Sequence, residues 1–364
     1  MQLKQIIRVI EQFAPPIYQE SYDNAGLITG NAEMEISGAF ICLDSTEEVL
    51  DEAISKKCNL VIAHHPIVFS GLKKINGKNY VERIIIKAIK NDIAIYAAHT
   101  NLDNVYHGVN HKIAQKLGLT NLRILAPVNN TLCKLVTYAP IENADAVRDA
   151  LFAAGAGKIG NYDECSFNLQ GTGTYKGNEQ SHPAKGEAGK RHLENEVRIE
   201  VVFESFKERT IVSALEQAHI YEEVAFDIYR LQNQYQNVGG GMVGELQVAL
   251  SPTDFLAFVK IKMQTKCIRH TALVDNTVHK VAICGGSGSF LLPNAIAAGA
   301  QAFITADFKY HQFFDADKKI LIADIGHYES EQFTGEIFET ILKQNFSNFA
   351  FRLSEVNTNP VQYF

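Results

Sequence analysis

Residues 39–65, AFICLDSTEEVLDEAISKKCNLVIAHH, constrain the fold more than any other stretch. Two continuously apolar runs flank a segment of helical period, which opens at Ser45 with Glu48 three residues on. A strand exposed on one side alternates apolar and polar residues, whereas a strand without alternation is buried on both faces. The stretch therefore predicts a βαβ unit in a parallel sheet. KNYVERIIIKAIKND continues it as a helix, IAIYAAHTNLD as a strand with a polar tail, and GVNHKIAQKLG as a helix that Gly118 ends. MQLKQIIRVIEQFAPP reads as an amphipathic helix stopped by proline.

The plan recurs later in HKVAICGGSGSFLLPNAIAAGAQAFITADFKYH, where aligning Cys42 with Cys284 sets His65 against Asp307 without a gap. KKILIADIGHYESEQFTGEIFETILKQ then adds a further strand and helix. Between the halves, TLCKLVTYAP reads as a strand, ADAVRDALFAAGAG as a helix, CSFNLQGTGTYK as one or two strands and EVRIEVVFES as a strand. RTIVSALEQAH and EEVAFDIYRL add a helix and a strand, the order of a ferredoxin-like split βαβ module. The polar stretch KGNEQSHPAKGEAGKRHLENE is expected to be an exposed loop, and QNQYQNVGGGMVGEL a glycine hinge back to the first domain. The expected fold is an α/β core of two pseudo-repeated halves, residues 1–128 and 237–364, around an inserted α+β domain at 129–236.

Composition narrows the class. An apolar content of 46% and a charged content of 21% are those of an ordinary globular chain. The net charge of −7 argues against nucleic acid and anionic membrane as bulk partners. No apolar stretch reaches the ~20 residues that span a bilayer. Cys42, Cys58, Cys133, Cys165, Cys267 and Cys284 form no C-x-x-C pair, which fits free thiols in the cytoplasm.

Chemistry gathers where strands end. AHHPIVF places His64 and His65 before Pro66, which holds His65 extended. Neighbours on an extended strand point to opposite sides, so each imidazole is expected to serve a different ion. HTNLD offers His99 and Asp103, and DIGHYESE offers His327 and Glu331 at i and i+4 on one helix face. Each motif alone is better read as an ordinary strand end, turn or solvated helix face. Together they line the sheet edge where α/β proteins bind ligands, with donors that suit divalent metals. With Asp103 as a bridging carboxylate, a two-metal centre would support hydrolysis. GGSGS lacks a Walker lysine and the full dinucleotide spacing, so it reads as a tight turn. Asp307 and His311 are either a proton relay or substrate contact, or a structural cap.

The ordered motifs DNAGLITG, AHHPIVF, AAHTNLD, CGGSGS, ITADFKYH and DIGHYESE resemble those of the Nif-three-like family, whose bacterial members carry the name GTP cyclohydrolase I type 2 homologue. The resemblance covers both halves, and the insert is similar to the PII/CutA-like domain of longer members. It implies two divalent ions per chain (zinc, iron, manganese or nickel) held by His64, His65, Asp103, His327 and Glu331. It also implies a toroidal homohexamer with metal sites facing an internal cavity that the insert caps. Tyr22 stands where many members carry tryptophan, a change in packing. His99 and Thr100 are expected to support Asp103, with His99 and Asp103 the catalytic pair. His219, Glu222 and Glu223 belong to the cap and are not expected to be ligands. The implied activity is hydrolysis of a nucleotide-like or phosphoester small molecule, the alternative being a non-catalytic metal- or effector-binding protein.

Overall fold

The computed structural model describes residues 1–274 and 277–364. The first part of the chain forms α1 (Leu3–Phe13), β1 (Gly26–Thr29), β2 (Ala39–Cys42), α2 (Glu47–Ser55), β3 (Leu60–Ala63), α3 (Tyr80–Lys90), β4 (Ala94–Ala97), α4 (Thr100–Asn104), α5 (Val109–Leu117) and β5 (Thr120–Pro127). The middle forms β6 (Leu132–Pro140), α6 (Ala144–Ala153), β7 (Ser166–Tyr175), β8 (His192–Glu204), α7 (Glu208–Ala218) and β9 (Phe226–Arg230). The last part forms β10 (Gly239–Leu250), α8 (Pro252–Lys262), β11 (Arg269–His270), β12 (Val278–Ser287), α9 (Leu292–Ala297), β13 (Ala302–Ala306), β14 (Leu321–Asp324), α10 (His327–Glu331), α11 (Thr334–Asn345) and β15 (Phe351–Leu353). Two units result: Met1–Pro127 with Gln236–Phe364, and Val128–Tyr235.

The larger unit is mixed α/β with two sheets. One has the order β1-β4-β3-β2-β15, the other β11-β14-β13-β12-β10-β5. Strands β2, β3 and β4 are parallel, as are β12, β13 and β14. The lack of alternation in β3 now has its cause. Leu60 and Ile62 enter a core shared with α1, α5, α8, α11 and the second sheet, while Val61 and Ala63 face α2 and α3. Burying each such aliphatic side chain contributes ~1.5–3 kcal/mol, so the apolar runs leave little freedom in how these strands sit. Leu3, Ile6 and Ile10 carry the same core along one stripe of α1.

Two local expectations are narrowed and a third changes. The cap of α2 is Thr46, whose hydroxyl accepts from Val49 N at 3.3 Å, one residue after Ser45. CSFNLQGTGTYK forms one strand, β7. The glycine run 239–241 is not a hinge but the start of β10, wedged between β5 and β12. A Cβ at Gly239 would lie 2.2 Å from the Ala126 carbonyl oxygen, so glycine there permits close backbone approach.

In the smaller unit, β6-α6-β7-β8-α7-β9 forms an antiparallel sheet of order β7-β8-β6-β9. Val147 and Leu151 of α6 and Ile211 and Leu215 of α7 cover Leu135, Ile199 and Val201 on one sheet face. Among the described residues, no helix is long and apolar enough to cross a membrane.

Candidate metal centre

Strand β3 ends at Ala63, and the next two backbone N–H groups turn to the Leu43 carbonyl at 3.1 and 3.0 Å. Leaving the ladder there removes the strict alternation of an extended strand. The His64 and His65 rings therefore do not point apart: their centroids lie 4.8 Å from each other. His99, after β4, stands edge-on to both at 5.2 Å. From the second sheet, α10 begins after β14 and brings His327 and Glu331 to the same place. The sequence expectation of one sheet edge becomes two facing edges of two sheets.

Every ring has its Nδ1 occupied. His64 Nδ1 meets the Ala98 carbonyl at 2.9 Å, His65 Nδ1 meets Asp44 at 2.7 Å, His99 Nδ1 meets Asp23 at 2.8 Å, and His327 Nδ1 meets Asp307 at 2.6 Å. Carbonyl and carboxylate oxygens only accept, so each Nδ1 carries the proton and each neutral ring offers Nε2 as a lone pair. These lone pairs converge on carboxylate oxygens that also only accept. His65 Nε2 and His327 Nε2 lie 3.0 and 3.1 Å from Glu331 Oε2, and 3.3 Å from each other. His64 Nε2 lies 3.5 Å from Asp103 Oδ1 and 3.9 Å from Glu331 Oε1. His64 is fully buried and Glu331 is 2% exposed, so water cannot resolve the conflict. His64 Nε2, Asp103 Oδ1 and Glu331 Oε2 have no hydrogen-bond partner.

Protons or a cation must fill the gap. Without a cation, burial opposes a charged imidazole, yet the Asp44 hydrogen bond and Glu331 hold the His65 pKa up at about 10. Against the same burial, the Glu331 charge and Asp307 lift His327 to about 11. Burial and the neighbouring Glu331 charge push the Asp103 carboxyl up, while His327 holds Glu331 down against its burial. A divalent ion supplies the same positive charge to all these donors.

The donors that could hold a metal fall into three groups: His64, Asp103 and Glu331; His65, His327 and Glu331; and His64, His65 and His99. Glu331 belongs to two of them and Asp103 to one. Glu331 is the carboxylate common to the two mixed groups.

Of the groups that fix this arrangement, sequence reasoning missed Asp23 and Asp44 and singled out Asp307 without its role as the partner of His327. Asp23, in the DNAGL segment, receives the His99 proton and the Thr100 N–H, the latter at 3.0 Å. Thr100 therefore supports Asp23 and not Asp103 as expected. Asp44 follows β2 and is held by the Thr358 hydroxyl at 2.6 Å. Asp307 has φ of +58°, a left-handed backbone uncommon outside glycine, at the residue that orients His327. His311 is exposed against Tyr310 and does not line this cleft. The GGSGS segment is neither a phosphate loop nor a plain turn. Gly285 N and Gly286 N donate to Asn110 and Ser330 at 2.9 Å, and Gly286 lies directly against Glu331. Both ring nitrogens of His219 are engaged by the protein: Nε2 meets the Tyr138 carbonyl at 2.9 Å and Nδ1 accepts from Tyr221 N.

The centre opens into a cleft of about 850 Å³. Tyr22, Phe69 and Phe290 line it and are more than half exposed. Cys284 borders it as well, its thiol pushed up by burial and by the charges of Asp103 and Glu331, so it is a neutral wall.

The family pattern of Duf34/NIF3 (NGG1p interacting factor 3) matches residues 1–360. The chain belongs to this family. A relative from Bacillus subtilis (strain 168), called GTP cyclohydrolase 1 type 2 homolog, is 38% identical over 366 residues, covering 99% of this chain and 98% of its own. A Staphylococcus aureus (strain MSSA476) protein of the same name is 33% identical over 368 residues and covers both chains fully. The crystal structure of a Bacillus cereus protein related to NIF3 superposes with a TM-score of 0.88 at 36% identity, covering 100% of this chain and 99% of that one.

Orienting carboxylates are expected to matter in this NIF3-family cluster. Asp44→Ala frees the His65 ring and is expected to weaken divalent-ion binding by ~10–100-fold. A zinc titration with a competing chelator reads this directly, and unchanged affinity refutes the role given to Asp44.

Proposed function

We propose that the chain is a hydrolase with a dinuclear metal centre, in which His64 and Asp103 hold one divalent ion, His65 and His327 the other, and Glu331 gives one oxygen to each. The observation that carries this reading is the set of bare, buried atoms at His64 Nε2, Asp103 Oδ1 and Glu331 Oε2. An unpartnered buried polar atom costs ~1–3 kcal/mol, so three together favour a bound cation strongly. Imidazole and carboxylate donors suit zinc, iron, manganese and nickel alike. When bound, such ions supply Lewis-acid polarisation of a substrate oxygen and lower the pKa of water.

The chain's own groups do the remaining work. Asp44, Asp307 and the Ala98 carbonyl aim the ligand rings. His99, its Nδ1 proton fixed by Asp23, keeps Nε2 free beside His64 and His65 to take or return a proton. Phe69, packed edge-on to His99 at 5.7 Å, offers an aromatic wall for a planar group.

Charge narrows the substrate. Seven carboxylates line the cleft among the described residues, and Arg269, already bound to Asp324, is the one arginine or lysine beside them. Two divalent ions neutralise a single phosphoryl group, but a triphosphate would extend its tail against carboxylates. A phosphomonoester or low-charge nucleotide-like substrate therefore fits better than GTP, although the Bacillus subtilis relative is named for GTP. Metal-loaded protein is expected to turn over such a monoester with higher kcat/KM than GTP, and Asp103→Ala to abolish turnover. Protein with two bound ions that turns over none of these substrates contradicts the hydrolase reading and leaves a metal-binding regulatory or trafficking protein.

The wider reading is that Val128–Tyr235 is a ferredoxin-like module of PII/CutA-like kind, supported by its β-α-β-β-α-β order. The six free cysteines support a reducing, cytoplasmic setting. A homohexamer is the expected assembly. Light scattering should then give six times the 40.4 kDa chain mass, and a monomer mass excludes it.

A further inference from the structure

The smaller unit holds a cavity of its own, of about 600 Å³. Tyr138, Tyr175 and Tyr221 line it, together with Gly171 and Gly173 of β7. Glu196 of β8 is sunk into this wall and is 9% exposed. Its Oε1 accepts the Tyr221 hydroxyl at 3.0 Å, while Oε2 has no hydrogen-bond partner among the described residues. A Cβ at Gly173 would fall 2.0 Å from that oxygen, so glycine at 173 is what leaves the carboxylate its place. Tyr175 and Tyr221 meet edge to face at 5.7 Å. The Tyr175 hydroxyl donates to the Lys185 carbonyl at 2.9 Å, so both hydroxyls are engaged by protein acceptors and the rings remain to meet a ligand.

Neighbouring charges are mostly engaged. Arg198 pairs with Glu200 at 2.9 Å through Nη2 while its Nε has no hydrogen-bond partner, and Glu222 accepts the His182 N–H at 2.9 Å. Lys176 and Glu223, opposite in sign, are both exposed. Glu196 is left with one unpartnered oxygen open to the cavity beside aromatic rings. A cation with an apolar shell would both pair it and gain from the ring faces.

We propose that this cavity binds an organic cation, its alkylammonium or arylammonium group seated between Glu196 and the tyrosine rings. The full chain is titrated by calorimetry with choline, with benzyltrimethylammonium, and with 3,3-dimethylbutan-1-ol, the uncharged isostere of choline. Saturable binding of at least one cation is expected, with the alcohol ~10-fold or more weaker than choline. Glu196→Gln, which keeps an acceptor for the Tyr221 hydroxyl, is expected to weaken cation binding ~10-fold or more. Should Glu196→Gln lose its circular dichroism signature, Gly173→Ala carries the test with the same expected loss, because its methyl group takes the space of the carboxylate. Equal binding of choline and the alcohol, full cation affinity in a folded variant, or no saturable binding of either cation overturns the proposal.

Discussion

Glu331→Ala is expected to release both divalent ions, whereas His327→Ala and Asp103→Asn each release one. The difference follows from position. Glu331 is the carboxylate common to two groups of donors, with Oε2 between His65 and His327 and Oε1 toward His64. Changing a residue that merely orients a ligand costs ~10–100-fold in affinity, so removing a shared ligand should cost ~100-fold or more for both ions. Metal analysis of protein purified with excess zinc reads the stoichiometry directly. A Glu331→Ala protein that keeps one ion at full affinity shows that Glu331 serves a single site.

Gly286→Ala is expected to do comparable damage without touching a ligand atom. Gly286 has φ of +59°, and a Cβ there would lie 2.4 Å from Glu331 Oε1 and 3.3 Å from His327 Cε1. Left-handed backbone costs a residue with a Cβ ~1–2 kcal/mol, and forcing a methyl group into a filled site adds ~1–3 kcal/mol. For a unit of this size the sum corresponds to a fall in Tm of roughly 5–15 °C. The clash falls on the Glu331 oxygen nearest His64, so metal occupancy should fall as well. Gly299→Ala separates the two causes: Gly299 has φ of +71° with nothing within 4 Å of its would-be Cβ. It should lose only the backbone part of the stability and keep both ions. Equal loss of metal in both variants assigns the effect to strain alone and removes Gly286 from the account of the site.

Much of the larger unit could be read from sequence because its parallel strands are buried on both sides. Leu60, Val61, Ile62 and Ala63 leave no polar face to interpret. The strand β5 was harder, since its first residues are mostly exposed and its pairing with β10 spans a long gap in the chain. The histidines and acids that converge at the cleft were visible as residues that follow strands, where side chains are free of the ladder. Of their supports only Asp307 stood out, and not as the partner of His327. Asp23, Asp44 and Asp307 precede their histidines by 76, 21 and 20 residues, and only the order of strands in each sheet brings them together. Whether Asp103 or Glu331 would bridge two ions turns on a few ångströms that no spacing encodes. Gly286 carried a signal, a glycine pair at the end of an apolar strand, but its reason lies in a glutamate 45 residues later, whose oxygen takes the room a side chain would need.

The central claim is that two ions share Glu331. Anomalous diffraction from crystals soaked in zinc, recorded on both sides of the zinc edge, tests it most directly. Two peaks are expected, one among His64, Asp103 and Glu331 Oε1, the other among His65, His327 and Glu331 Oε2. A single peak, or two peaks with Asp103 between them and Glu331 bound to one alone, contradicts the account.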